Sequence, residues 1–209
     1  MNENQKEFPP LKIISFGNSN YKRIAHNWAS FLQSHKIENY TVYSLDKDIY
    51  DYLIRNEINT ELLESNMFTN GKYDWRKRVE FIGNLISKDF SVLHSDLDAI
   101  WIKNPLELIE KSYDIVASCG TFPKGVRLKV GYTICMGWIY YQSSSIVKEL
   151  FKSTLNRGVK RGRFDDQKEF NKEIFYQEEK WKNLKLKILD QSIISRTQPH
   201  NESTYVAHP

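Results

Sequence analysis

The run Val92-Leu93-His94-Ser95-Asp96-Leu97-Asp98-Ala99-Ile100-Trp101 constrains this chain more than any other stretch. An apolar segment leads into two aspartates one residue apart, and another leads out. A buried unpaired charge is costly, so carboxylates do not interrupt a β-rich run without a use for them. If the segment is a central strand, its polar tip lies at the carboxyl end, where ligands bind in open α/β sheets. Residues two apart on a strand point the same way, so Asp96 and Asp98 can face one ion. Hard cations such as Mg²⁺ or Mn²⁺ take oxygen ligands, and beside diphosphate oxygens they need only one or two protein carboxylates. The plainer alternative is a pair of solvated loop aspartates.

The pattern around this run alternates strand and helix. Residues 11–16 read as a strand broken by Gly17-Asn18-Ser19-Asn20, residues 21–35 as a helix with Ile24, Trp28, Phe31 and Leu32 on one face, and residues 40–45 as a second strand. Further helices are expected over 48–58, 74–88, 106–111, 144–155 and from Asp165-Asp166 to Tyr176, and strands over 90–94, 113–118, 132–141, 184–189 and briefly 204–207. Nearly continuous apolar strands alternating with helices predict an α/β fold with a mostly parallel central sheet flanked by helices. Residues 120–131, with three glycines, a proline and three cations among them, read as a mobile loop. Residues 1–10 read as a disordered leader ending at Pro9-Pro10, and 11–209 as a single domain.

The first turn of the 74–88 helix carries Arg76, Lys77 and Arg78, which oppose the helix dipole unless solvated or met by an anion. The net charge of +4 is too small for a dedicated nucleic-acid binder and suits an enzyme for anionic substrates or a protein resting on an anionic surface. Two cysteines, Cys119 and Cys135, offer no disulfide framework and point to a reducing compartment, hence a cytoplasmic reading, with peripheral membrane contact open. No stretch approaches the roughly 18 apolar residues of a membrane span. The basic run 157–163 is either a solvated face or a contact for an anionic or membrane-linked acceptor.

Ser95-Asp96-Leu97-Asp98-Ala99-Ile100-Trp101-Ile102-Lys103-Asn104-Pro105 resembles the SDxDxxWxxxP signature of the GT-A-fold nucleotide-diphospho-sugar transferases. Arg78 stands where that family keeps a basic residue, and residues 133–143 are similar to its Gly-containing strand, with Cys135 in place of the usual Asn. Asp166-Gln167-Lys168-Glu169-Phe170-Asn171 matches DQxxFN in full, and His208 follows the last short strand as the family's histidine often does.

The resemblance implies transfer of a sugar from a nucleoside-diphosphate sugar, UDP-linked and with retention of configuration, to a hydroxyl of a glycan or glycoconjugate. It implies Mn²⁺ or Mg²⁺ held by Asp96, Asp98 and His208, with Asp96 also near the ribose. It places Arg78 at the diphosphate, and Phe16, Gly17, Asn18 and Tyr21 at the base. Asp166 and Gln167 would act at the sugar, and Gly137 and Trp138 would line the substrate site. For Phe16 and Tyr21 core packing is the competing account, for Trp101 the anchoring of a loop, and for His94 simple burial in its strand. A non-catalytic nucleotide-sugar binder is the alternative function. An aspartyl-phosphate hydrolase is disfavoured, because Gly17-Asn18-Ser19 stands where its first aspartate belongs.

Overall fold

The computed structural model describes residues 9–63, 68–69, 72–158, 164–196 and 200–208. In chain order the elements are β1 (Leu11–Gly17), α1 (Lys22–Ser34), β2 (Tyr40–Ser44), α2 (Lys47–Arg55), β3 (Thr60–Leu62), β4 (Phe68–Thr69), β5 (Lys72–Tyr73), α3 (Trp75–Ser87), β6 (Ser91–Ser95) and β7 (Ile100–Trp101). There follow β8 (Ile115–Gly120), α4 (Lys124–Val130), β9 (Thr133–Tyr141), α5 (Ser145–Gly158), α6 (Asp166–Tyr176), α7 (Glu178–Trp181), β10 (Leu186–Leu189), β11 (Ile194–Ser195) and β12 (Val206–Ala207).

Seven strands form one sheet in the order β10-β8-β9-β6-β1-β2-β3. Its pairs are parallel except where β9 runs antiparallel between β6 and β8. All residues of β2, β6 and β9 are buried, which is why these strands read as apolar runs rather than alternating ones. One core layer gathers α1 and α2 around Trp28, Trp101 and Trp138; the other gathers α3, α5 and α6 around Tyr141, Phe151 and Phe170. The buried face of α1 is Ala25, Trp28, Ala29 and Leu32, so Ile24, expected inside, is left 38% exposed. Small alanines let the helix approach the sheet closely enough for Trp28 to fill the gap.

Helix starts follow the sequence. Asp46, Asp74 and Asp165 cap α2, α3 and α6 by accepting from Ile49 N, Arg76 N and Lys168 N at 3.0, 3.1 and 2.9 Å. The expected mobile loop at 120–131 instead contains α4. Val126 on that helix is buried, and it ends on Gly131 at φ +87°, the left-handed cap that a glycine adopts without strain. Three glycines suggested a loop, but one of them, Gly131, is the helix stop. The helix expected at 106–111 is a 3₁₀ turn over Pro105–Leu108.

Two irregularities shape the site. Between Ala117 and Ser118 the β8–β9 register jumps from Ile139 to Cys135, so residues 136–138 bulge from that ladder. Beyond Ser95 the other edge of β9 has no β6 partner. There Asn171 on α6 substitutes for a strand: its Oδ1 accepts from Ile134 N at 2.7 Å and its Nδ2 donates to Ile134 O at 2.8 Å. A second small sheet, β11-β12-β7, pairs β12 antiparallel to β7 and so carries the chain from Ala207 to the end of β6.

Candidate functional site

The strand β6 ends at Ser95, and Asp96-Leu97-Asp98 form the turn into β7. The aspartates therefore do not share a strand face as expected; the turn brings them to one point. It is fixed at both ends, by Asp96 N donating to Gly137 O at 2.7 Å and Ala99 N to Asp96 O at 3.0 Å. His208, just past β12, comes to the same point. Its Nε2 lies 3.6 Å from Asp96 Oδ2 and 3.5 Å from Asp98 Oδ1. One ligand atom from each of Asp96, Asp98 and His208 lies within 4.8 Å of the others. The ring of His208 rests on the bulged backbone of β9 with Cε1 nearest: a Cβ on Gly137 would fall 1.9 Å from His208 Cε1. Gly137 is thus a seat for the histidine.

Two carboxylates and an imidazole fit a divalent cation, and the nitrogen donor favours Mn²⁺ over Mg²⁺. The electrostatics carry the same mark. Burial would lower the His208 pKa, but Asp98, Cys135 and Asp96 outweigh it and carry it up to about 10. The hydrogen bond from His208, against the smaller effect of burial, holds Asp98 below its ordinary value. On its other side His208 Nδ1 lies 3.9 Å from Cys135 Sγ, which also receives Arg196 Nη1 at 3.8 Å. Burial raises that thiol, but His208 and Arg196 outweigh burial and the net shift is downward.

A buried charge cluster backs the pair. Arg78, on the first turn of α3, donates from Nε to Asp166 Oδ2 at 2.7 Å and from Nη1 to Asp96 Oδ1 at 3.1 Å, and its Nη2 also pairs with Asp166. Its guanidinium lies over Trp75, 4.5 Å from the ring centroid. Arg78 and Asp166 are only 7% and 4% exposed. Burial raises the Asp166 and Asp96 pKa values against the pull of Arg78, and burial together with Arg78 drives His94 well below its ordinary value. His94 is therefore neutral. Its Nδ1 donates to Met136 O at 2.8 Å, which fixes the tautomer and leaves Nε2 as an acceptor 3.7 Å from Asp96 Oδ1.

Two cavities meet at this point. One, about 130 Å³, is lined by Phe16, Tyr21, Trp75, Arg78, His94 and the turn from Asp96 to Asp98. The other, about 500 Å³, shares Leu97 and Asp98 with it and adds Arg23, Ile24, Arg196 and His208. The carboxylates and His208 thus stand on the divide between an aromatic notch and a wider, basic-edged hollow.

The sequence profile of the nucleotide-diphospho-sugar transferases matches residues 35–208. This chain belongs to that family. It is a glycosyltransferase, taking a nucleotide-sugar donor and a sugar acceptor. Solved structures share the fold at low identity. The galactosyltransferase LgtC, in complex with donor and acceptor sugar analogs, is 14% identical at a TM-score of 0.60, with 94% of this chain and 86% of that one covered. The bifunctional glycosyltransferase WbbM is 15% identical at 0.60, covering 92% and 40%. The glycosyltransferase GlyE of Streptococcus pneumoniae is 14% identical at 0.55, covering 88% and 46%. No curated protein sequence matches.

Around the centre of this transferase the expected residues separate into two groups. Phe16, Tyr21, Arg78, Asp96, Asp98 and His208 line the cavities. Asn18 and Trp138, expected at the substrate, are instead 1% and 0% exposed. Asn18 caps the turn Ser19–Tyr21 by accepting from Asn20 N at 3.1 Å, and Trp138 packs in the core behind β9. Gly17 makes room for Leu97, whose Cδ1 would lie 2.6 Å from a Cβ there. Gln167 ties β9 to the segment before α4, accepting from Met136 N at 3.2 Å and donating to Phe122 O at 2.8 Å. Trp75 and His94 line the notch although the sequence reading gave them no substrate role; for Trp75 the signal was its place beside Arg78 on the first turn of α3. No helix among the described residues is long and apolar enough to cross a membrane.

Proposed function

We propose that this transferase moves a sugar from a UDP-sugar to a hydroxyl of a glycan or glycoconjugate, with Mn²⁺ as its cation and with retention at the anomeric carbon. The observation that carries this reading is the convergence of Asp96, Asp98 and His208 on the divide between the two cavities. Asp96, Asp98 and His208 would hold the cation, which when bound would supply charge stabilisation to the departing diphosphate.

The chain's own residues do the rest. Phe16, Tyr21 and Trp75 give aromatic walls on which a base would stack. Asp96, which lines that notch, would meet the ribose. The single positive charge of Arg78 offsets Asp166 and Asp96, which lowers the repulsion an incoming diphosphate meets. Asp166, held by Arg78, would supply a fixed negative charge toward the donor's hydroxyls and toward positive character at the anomeric carbon. Its Oδ2 accepts from Arg78 and its Oδ1 from Gln167 N, so neither oxygen is free to take a proton from an acceptor hydroxyl, which supports retention over direct inverting attack. Gln167 positions the chain beside Asp166.

A thermal-shift screen of nucleoside diphosphates with Mn²⁺ tests the reading. UDP with Mn²⁺ should raise the melting temperature, and Asp98→Ala should abolish the rise; no shift with any nucleoside diphosphate would sink it. Proton NMR of the product settles the stereochemistry, and an inverted anomeric signal would refute retention alone.

A further inference from the structure

Of the ten large apolar side chains exposed among the described residues, four stand at one corner: Phe122, Leu128, Tyr132 and Tyr176. Leu128 is 88% exposed, far beyond Ile54 at 50%, the next most exposed of the ten. The corner is a built surface. Val126 anchors α4 in the core, and a Cβ on Gly125 would meet Tyr176 Oη at 3.0 Å, so helix and tyrosine are in contact. Tyr132 stands edge-on to Phe175 with centroids 5.6 Å apart, and Lys129 Nζ lies 5.5 Å from the Tyr176 ring. Lys129 is engaged by Glu178 at 2.8 Å and by Phe175 O at 2.8 Å. Lys124 and Arg127, both exposed, form no ion pair among the described residues. Two available cations therefore flank the most exposed leucine of a short helix.

We propose that this corner docks the transferase on an anionic bilayer surface. Leu128 enters the boundary between headgroups and acyl chains, the rings of Phe122, Tyr132 and Tyr176 lie at headgroup level, and Lys124 and Arg127 meet lipid phosphates. The charge selects this occupant. The two cations beside an exposed leucine suit an anionic headgroup layer better than a second copy of a chain whose net charge is +4. Two available cations fall short of the basic stripe that a nucleic-acid backbone calls for. The corner also borders the site, since Phe122 O receives Gln167 Nε2 at 2.8 Å and Gln167 follows Asp166. Docking there would present the centre to an acceptor carried on the membrane. That consequence rests on the proposed function, whereas the docking itself does not.

The test is co-sedimentation of the full chain with phosphatidylcholine vesicles, with and without phosphatidylglycerol, in the absence of any nucleotide sugar. Binding is expected only where the anionic lipid is present. Leu128→Asp should weaken it roughly tenfold or more, and Lys124→Ala and Arg127→Ala about fivefold each. At 88% exposure Leu128→Asp should leave the melting temperature and transfer to a soluble acceptor unchanged. Absence of binding to both vesicles would overturn the proposal. So would binding that survives all three substitutions, or binding that falls only when Lys160, Arg161 and Arg163 are neutralised.

Discussion

Replacing Gly137 with alanine should disable the proposed metal centre without touching a ligand. The added Cβ would lie 1.9 Å from His208 Cε1 and 2.6 Å from both ring nitrogens, where real contacts do not fall below 3.0 Å. The ring must therefore retreat by at least 1.1 Å, the difference between 3.0 and 1.9. It cannot retreat freely, because His208 N donates to Ser195 O at 2.8 Å and β12 is paired on both edges. Metal–ligand distances tolerate only about 0.2 Å, so the imidazole is lost to the ion. Disturbing the support of a metal ligand costs about 10- to 100-fold in affinity, or about 1.4 to 2.8 kcal/mol by the factor-of-ten rule. Titration of Mn²⁺ by electron paramagnetic resonance measures this directly. The decisive arm is a cycle with His208→Ala. If alanine at 137 acts only through the histidine, the double variant binds Mn²⁺ no more weakly than His208→Ala alone. A further loss in the double variant, or unchanged affinity in Gly137→Ala, would refute the reasoning.

Three other outcomes follow from the same geometry. Arg78→Met leaves buried Asp166 without its counter-ion and should cost about 3–5 kcal/mol of stability, read by urea denaturation; Arg78→Lys should recover part of it. Cys135→Ser should retain Mn²⁺ binding better than Cys135→Ala, because only the hydroxyl can accept from His208 Nδ1; equal losses would show that the thiol does not orient the ring. The pH dependence has two opposite signs. The His208 pKa is raised from 6.5 to about 10 in the metal-free protein, so its stabilising charge is fully present below 6.5 and lost as pH rises through about 10. Mn²⁺ must displace that proton, so its affinity should rise across the same window, with close to one proton released per ion at neutral pH. Calorimetry in buffers of different ionisation enthalpy counts that proton, and a count near zero would contradict the raised pKa.

Much of this was legible in the chain itself. DQxxFN and the late histidine came from the family resemblance, whereas apolar strands alternating with helical periodicity pointed to the α/β layer structure by themselves. Local chemistry was enough there, because burial of a strand and capping of a helix depend on neighbours in sequence. The exposed face of α1 around Ile24 and the helix inside 120–131 were misread. Those depend on how closely a helix approaches a distant sheet, and on which glycine ends an element rather than loosening it.

Only the tertiary structure decided what the two aspartates are. The sequence put carboxylates where a strand ends and could say no more than that they point together. The fold turns the chain after Ser95, pins the turn to Gly137 O, and brings Arg78 from 18 residues upstream and Asp166 from 70 residues downstream to one guanidinium–carboxylate cluster. It then lays His208 on a glycine surface made by a three-residue bulge in β9. These partners are far apart in the chain, so no local pattern encodes their distance. Their convergence is fixed by sheet register and by close packing, which exist only once the chain has folded.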